Sequence, residues 1–273
     1  MSRYQKIMDR IKEHYEEALK LFPADRIVGV FLQGSQNYML DHEGSDIDTK
    51  CIVLPTLEDL IFNRKPVSTT HVMENDEHLD LKDLRLYFQT FRNQNVNFLE
   101  ILFTDYKIVN PIYKGLWDEL VEHNEEIARY NEVKAIKTMK GIAMEKYHAM
   151  EHRYPSKAAI IDKWGYDGKQ LSHLIRVRMF LQNYIKGTSY EDCLIPNTPE
   201  YLIKIKVETP KGFYYNLEQA RDIAREEISW IQEIYDNYIS NRKETKNLEV
   251  DEFLDDIQRS IMKKAIDLEL RKG

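Results

Sequence analysis

Cysteine is scarce in this 273-residue chain: Cys51 and Cys193 are the only two, and they lack the spacing of a metal site. Cys51 lies in an apolar run and reads as a small core residue, so a reducing, cytoplasmic compartment is expected. Long hydrophobic runs are also missing. None reaches the roughly 18 residues that a membrane span requires, so no membrane partner is expected. The opening MSRYQKIMDRIKEHYEE is too charged for a signal peptide. Internal repeats and low-complexity tracts are absent as well. What remains is a chain with 42% hydrophobic and 31% charged residues, the composition of a soluble globular protein with one large or two smaller domains. The net charge of −7 is unevenly spread. Residues 134–186 carry eleven Lys/Arg against four Asp/Glu, so an acidic chain has a basic middle. Such a patch suits a polyanion held in one place better than a broad nucleic-acid footprint, or else it is a set of solvated helix faces.

The most informative stretch is Arg26–Leu57, RIVGVFLQGSQNYMLDHEGSDIDTKCIVLPTL. An apolar strand runs into a turn opening on Gly34-Ser35, and a second strand carries Asp46-Ile47-Asp48. Alternate residues of a strand share a face, so both carboxylates point one way and Ile47 points to the core. Two carboxylates on one face form a ligand set for a hard divalent cation, Mg²⁺ or Mn²⁺, together with substrate phosphates and water. Glycine lets backbone amides approach a phosphate, and the serine hydroxyl adds a donor. Further on, VSTTHVME and EHLDL flank Asn75-Asp76 as a hairpin or as two strand pieces joined by a turn. In the second of these, His78 and Asp80 share the polar face, which makes Asp80 the candidate third carboxylate. Asp83 begins a helical pattern and reads as its N-cap.

Apolar strand, Gly-Ser, ten residues, Asp-x-Asp and a second apolar strand together resemble the nucleotidyltransferase superfamily typified by DNA polymerase β. The resemblance implies a polymerase β-like core of α/β (α+β) class with a small mixed sheet. It also implies Asp46, Asp48 and Asp80 as catalytic metal ligands and an NTP, such as ATP, as substrate. Leu84-Arg85 and Asn97-Phe98-Leu99-Glu100-Ile101-Leu102 narrow the likeness to a bacterial and phage subfamily with an RNA-repair-associated branch. Its Gly-Ser-x-x-Tyr-Gly turn is matched here by Gly34, Ser35 and Tyr38, but Met39 stands where the last glycine falls. The acceptor implied is an RNA end. A protein, a small molecule and a silent nucleotide- or RNA-binding scaffold are the alternatives. Glu100 reads as a buried structural contact, with a role in the site as the alternative.

A leading amphipathic helix over 2–21 precedes this unit. Beyond Pro111 helical patterns dominate, over 112–122, 124–153, 168–186, 217–241 and 250–271, with IPNTPEYLIKIKVETPKG as an irregular connection. The expected division is therefore a catalytic domain over 1–110 and an all-helical domain over 111–273. Within YDGKQLSHLIRVRMFLQ, Lys169, His173 and Arg176 fall in an arc of about 60° on one helix face. The stripe reads as phosphate-binding, like the Lys-x-x-x-His-x-x-Arg helix of the resembled subfamily, or as a solvated face. Arg178 lies nearly opposite Arg176 and reads as structural or solvent-facing.

Overall fold

Helix α1, Arg3–Leu21, starts where the Ser2 hydroxyl accepts from the Gln5 amide (3.2 Å), and Phe22-Pro23 ends it. Its buried Ile7, Ile11 and Ala18 form the apolar stripe that covers one face of the sheet. The coordinates are a computed structural model and describe residues 2–240 and 242–272. Five strands make a mixed sheet: β1 (Ile27–Gln33), β2 (Asp48–Val53), β3 (Ser68–Val72), β4 (His78–Asp83) and β5 (Lys107–Val109). Their order is β3-β4-β2-β1-β5. The β2–β4 pair is parallel, and the other three pairs are antiparallel. Val30, Leu32, Ile47, Cys51, Val53, Leu79 and Leu81 share the core beneath α1, which leaves the alternate residues for the opposite face.

The same unit holds α2 (Leu57–Ile61), α3 (Leu84–Arg92), α4 (Val96–Leu99), α5 (Lys114–Glu122) and α6 (Asn124–Ala128). A second unit contains α7 (Glu132–Ala149), α8 (Ala158–Trp164), α9 (Gly168–Tyr184), α10 (Tyr190–Leu194), α11 (Pro199–Lys206) and α12 (Leu217–Ile239). In it α9 packs against α7, α11 and α12. Gly168 opens α9 where a Cβ would meet the Ile205 carbonyl at 2.4 Å, so glycine is what permits that approach. Helix α13 (Leu248–Leu270) returns to the first unit, where the Arg92 fork pairs with Asp251 (2.7 Å) and Asp255 (2.5 Å).

Several expectations change. The first unit comprises residues 1–37, 44–131 and 246–273, and the second 38–43 and 132–245, so position 110 falls inside the first. The helix expected over 124–153 breaks after Ala128, where the Tyr130 carbonyl accepts from the Asn247 amide (2.9 Å) instead of continuing the helical ladder. The connection expected to be irregular contains α11, opened by Pro199 at its first turn. β5 went unrecognised. Strand β2 begins at Asp48, with Asp46 and Ile47 as its lead-in. Helix α12 ends at Ile239, and Asn241, placed in it by the sequence pattern, lies outside the described residues.

One buried polar network crosses the core beneath α1. His14, fully buried, reaches Thr49 Oγ1 (2.8 Å) with Nδ1 and Glu77 Oε2 (2.9 Å) with Nε2. Arg10 also donates to Glu77 Oε2 (2.7 Å), and the Ile47 amide donates to Glu77 Oε1 (3.3 Å). Burial alone would raise the Glu77 carboxyl, but hydrogen bonds from Arg10 and His14 outweigh it and hold its pKa below the ordinary value of 4.5. A carboxyl depressed in the folded state stabilises above its unfolded pKa, and that stability fades as pH falls through the folded one. Glu77→Gln is expected to cost about 1.5–3 kcal/mol at pH 7, the range for a hydrogen bond to a charged group. Urea unfolding should show the gap between wild type and variant closing as pH drops below about 4.

Candidate active site

Gly34 ends β1 with φ +88°, a conformation that favours glycine. Its amide donates to Glu100 Oε2 (3.2 Å), and the same oxygen accepts from Asn37 Nδ2 (3.3 Å). Asn37 is held further by the Leu32 carbonyl (3.0 Å) and by Thr104 Oγ1 (2.8 Å). Glu100, 3% exposed, is therefore the clamp of this turn. The Gly34 amide expected to meet a phosphate is already in use. After it comes a single 3₁₀ turn, Ser35–Tyr38, and no longer helix. Met39 takes φ +57° with its side chain exposed, so it adopts the left-handed geometry for which the resembled turn uses glycine.

The buried Gln36, unnoticed in the sequence, joins the turn to the carboxylates: its Nε2 donates to the Asp46 carbonyl (2.6 Å). The Asp46 side chain is exposed and makes no hydrogen bond or ion pair among the described residues. Asp48 is half-exposed, and its Oδ1 accepts from the His78 amide (2.9 Å) and lies 3.2 Å from His78 Nδ1. Asp80 lies on the neighbouring strand, two residues beyond His78, with Lys50 directly opposite it. Strand geometry makes Asp48 and Asp80 diagonal neighbours, about 8 Å apart along the backbone.

Asp80 is more engaged than its expected role as third metal ligand requires. Thr70 Oγ1 donates to Oδ1 (2.6 Å), Gln33 Nε2 to Oδ2 (3.2 Å), and the Lys50 ammonium stands 3.7 Å from Oδ2. Among the described residues no three of His, Cys, Asp and Glu are gathered as a metal-binding group, so the Asp46–Asp48–Asp80 trio is not assembled as one. Asp46 and Asp48 by themselves fit a hard cation that draws its remaining ligands from phosphate and water. Asp83 is the N-cap of α3, accepting from the Arg85 amide (2.9 Å) and gripped by the Arg85 guanidinium (2.7 Å).

Within the second unit, residues 38–43 join the helices. Arg176 on α9, 6% exposed, stacks 4.0 Å from the Tyr38 ring centre, and its Nε has no partner. The Lys206 ammonium donates to the Leu40 carbonyl. Burial, then Arg176, Lys169, Lys146 and Lys206 in turn, push His173 well below its ordinary pKa, so the ring is neutral at pH 7. Lys169, His173 and Arg176 therefore share one electrostatic cluster, joined by Lys146 and Lys206, which the sequence reading missed. Lys206 closes α11, in the segment expected to be an irregular connection. Arg178 instead pairs with Glu227 (2.7 Å) beside Trp230, a structural role.

The sequence matches no protein-family model and no curated protein. Among solved structures, the chain is similar to a nucleotidyltransferase-like protein from Exiguobacterium sibiricum 255-15. Identity is 11% over 97% of this chain and 91% of that one, with a TM-score of 0.31. No helix among the described residues is long and apolar enough to cross a membrane.

Met39 supplies a direct test of the turn. A non-glycine residue in the left-handed region costs about 1–2 kcal/mol, partly offset by glycine's greater unfolded-state entropy. Met39→Gly should raise unfolding stability by up to about 1 kcal/mol, whereas Met39→Ala, which keeps the strain, should leave the thermal midpoint near wild type.

Proposed function

We propose that this chain is a metal-dependent nucleotidyltransferase that moves a nucleoside monophosphate from an NTP such as ATP to the hydroxyl of an RNA end, in RNA repair, releasing pyrophosphate. The observation that carries the reading is the pairing of an exposed, unengaged Asp46 with Asp48 beside a clamped Gly34 turn. Mg²⁺ or Mn²⁺, when bound by these carboxylates, supplies Lewis-acid polarisation of phosphate oxygens. The chain's own part is positional. His78 fixes one Asp48 oxygen, Gln36 fixes the Asp46 backbone, and Ser35 offers its hydroxyl to a phosphate oxygen. The acceptor oxygen bonds to the α-phosphorus as the bond to the bridging oxygen breaks. The hydroxyl proton leaves to water and the electron pair leaves with pyrophosphate. Lys169, His173 and Arg176 over Tyr38 bind phosphate. A buried guanidinium without a counter-charge is costly, and a phosphate satisfies it with charge-assisted hydrogen bonds.

Incubation of the pure protein with each labelled NTP, Mg²⁺ or Mn²⁺, and total RNA or lysate should put label on RNA. Label on a protein or a small molecule would reassign the acceptor, and no transfer from any NTP would leave only a binding scaffold. Asp46→Asn and Asp48→Asn should each abolish transfer without lowering the thermal midpoint, because removing a carboxylate relieves mutual repulsion. Asp83→Asn should keep most activity, since asparagine also caps helices. In equilibrium binding, Arg176→Ala should weaken phosphate affinity by about ten- to a hundredfold, equivalent to roughly 1.5–3 kcal/mol. Arg178→Ala, which removes the same charge from a site paired with Glu227, should change it little. Equal losses would mean nonspecific attraction, which salt screens.

A further inference from the structure

The face of the sheet that carries Asp48 and Asp80 also carries a lysine. Lys50 lies two residues beyond Asp48 on β2, directly opposite Asp80 on β4 and Phe31 on β1. It is only 4% exposed. Its ammonium donates to Gln33 Oε1, stands 3.7 Å from Asp80 Oδ2 and lies 4.5 Å from the Phe98 ring centre. Burial lowers its pKa from the ordinary lysine value, Glu100, Asp80 and Asp48 oppose that shift, and Lys82 adds to it. Lys82 lies over the same ring at 4.9 Å.

A buried ammonium is tolerated only when its surroundings supply hydrogen bonds and counter-charge. Here they come from the carboxylate face itself. Asp80 has one oxygen accepting from Thr70 and the other facing Gln33 and Lys50, so a divalent ion seated on Asp80 would be pressed against a fixed positive charge. Among the described residues the Asp46 side chain forms no ion pair, and Asp48 pairs with His78.

Resting on the transferase reading above, we infer that Lys50 is a positioning residue that takes the place of a second metal: its ammonium neutralises Asp80, and the site holds one divalent ion, at Asp46 and Asp48. The usual alternative for such a carboxylate set is a pair of metals bridged about 3.5–4 Å apart.

Metal stoichiometry tests this without reference to turnover. Mn²⁺ titration of the full chain, followed by electron paramagnetic resonance with a non-hydrolysable NTP analogue present, should count one tightly held ion. Lys50→Met keeps the length of the side chain and removes its charge, and it should admit a second ion or tighten Mn²⁺ binding at least tenfold. Lys50→Arg keeps the charge and should still count one. Two tight ions in the wild-type chain would overturn the inference while leaving the transferase reading intact. So would a Lys50→Met chain that is folded by circular dichroism and binds as wild type does. If Lys50→Met does not fold, the wild-type and Lys50→Arg counts still decide. No bound ion in any variant would overturn this inference and the metal-dependent reading together.

Discussion

Glu77 is the constraint on which the carboxylate lead-in depends. Its two oxygens collect Arg10 and His14 from α1 and the amide of Ile47, and His14 passes the link on to Thr49 of β2. Ile47 and Thr49 bracket Asp48, so the segment bearing the candidate ligands is gripped from behind on both sides. Glu77 also precedes His78, whose amide and ring hold Asp48 from the neighbouring strand. A buried charged network of this kind is a weak source of net stability compared with an apolar core of the same volume. What it supplies is register, because an amide paired to a buried carboxylate cannot slip by one residue without stranding both groups.

The opposite face of the same strands shows how alternation divides labour. Ile47, Thr49, Cys51 and Val53 go toward α1, while Asp48, Lys50 and Ile52 go the other way. Three acidic side chains, Asp48, Asp80 and Glu100, act on Lys50 there, and Asp46 stands in the lead-in just before β2. Each is treated differently. Glu100 is buried as a clamp for the Gly34 turn, Asp80 is matched by Thr70, Gln33 and Lys50, and Asp48 is half-satisfied by His78. The Asp46 side chain alone stands in solvent with no hydrogen bond or ion pair among the described residues. The gradient from fully satisfied to unsatisfied runs toward the residues best suited to an exchangeable ligand.

Much of this architecture is legible in the sequence because it is local. The hairpin around Asn75-Asp76, the N-cap at Asp83 and the helix over 2–21 each depend on neighbours a few residues away. What was not legible depends on distant partners. β5 is three residues long and exists by pairing with β1, some eighty positions earlier. Helix α13 belongs with the sheet because Arg92 reaches Asp251 and Asp255, which no periodicity reports. Lys50 and Gln36 looked like ordinary polar residues. Their importance comes from burial, and burial of a lysine inside a strand is what composition argues against. Met39 is the converse case: the sequence flagged a missing glycine, and the backbone adopts the glycine-like conformation regardless.

The second unit poses the mirror image of the first. Arg176 is nine-tenths buried against Tyr38 with Nε unpartnered, and burial, then Arg176, Lys169, Lys146 and Lys206, push His173 into its neutral form. Clustered cations repel, and desolvation makes that repulsion stronger, so the arrangement is unfavourable as a purely structural device. A neutral histidine among them is informative, because it can donate one hydrogen bond to an anion without adding to the repulsion while the site is empty of charge. One unit therefore presents carboxylate oxygens short of a cation, and the other presents cations short of an anion.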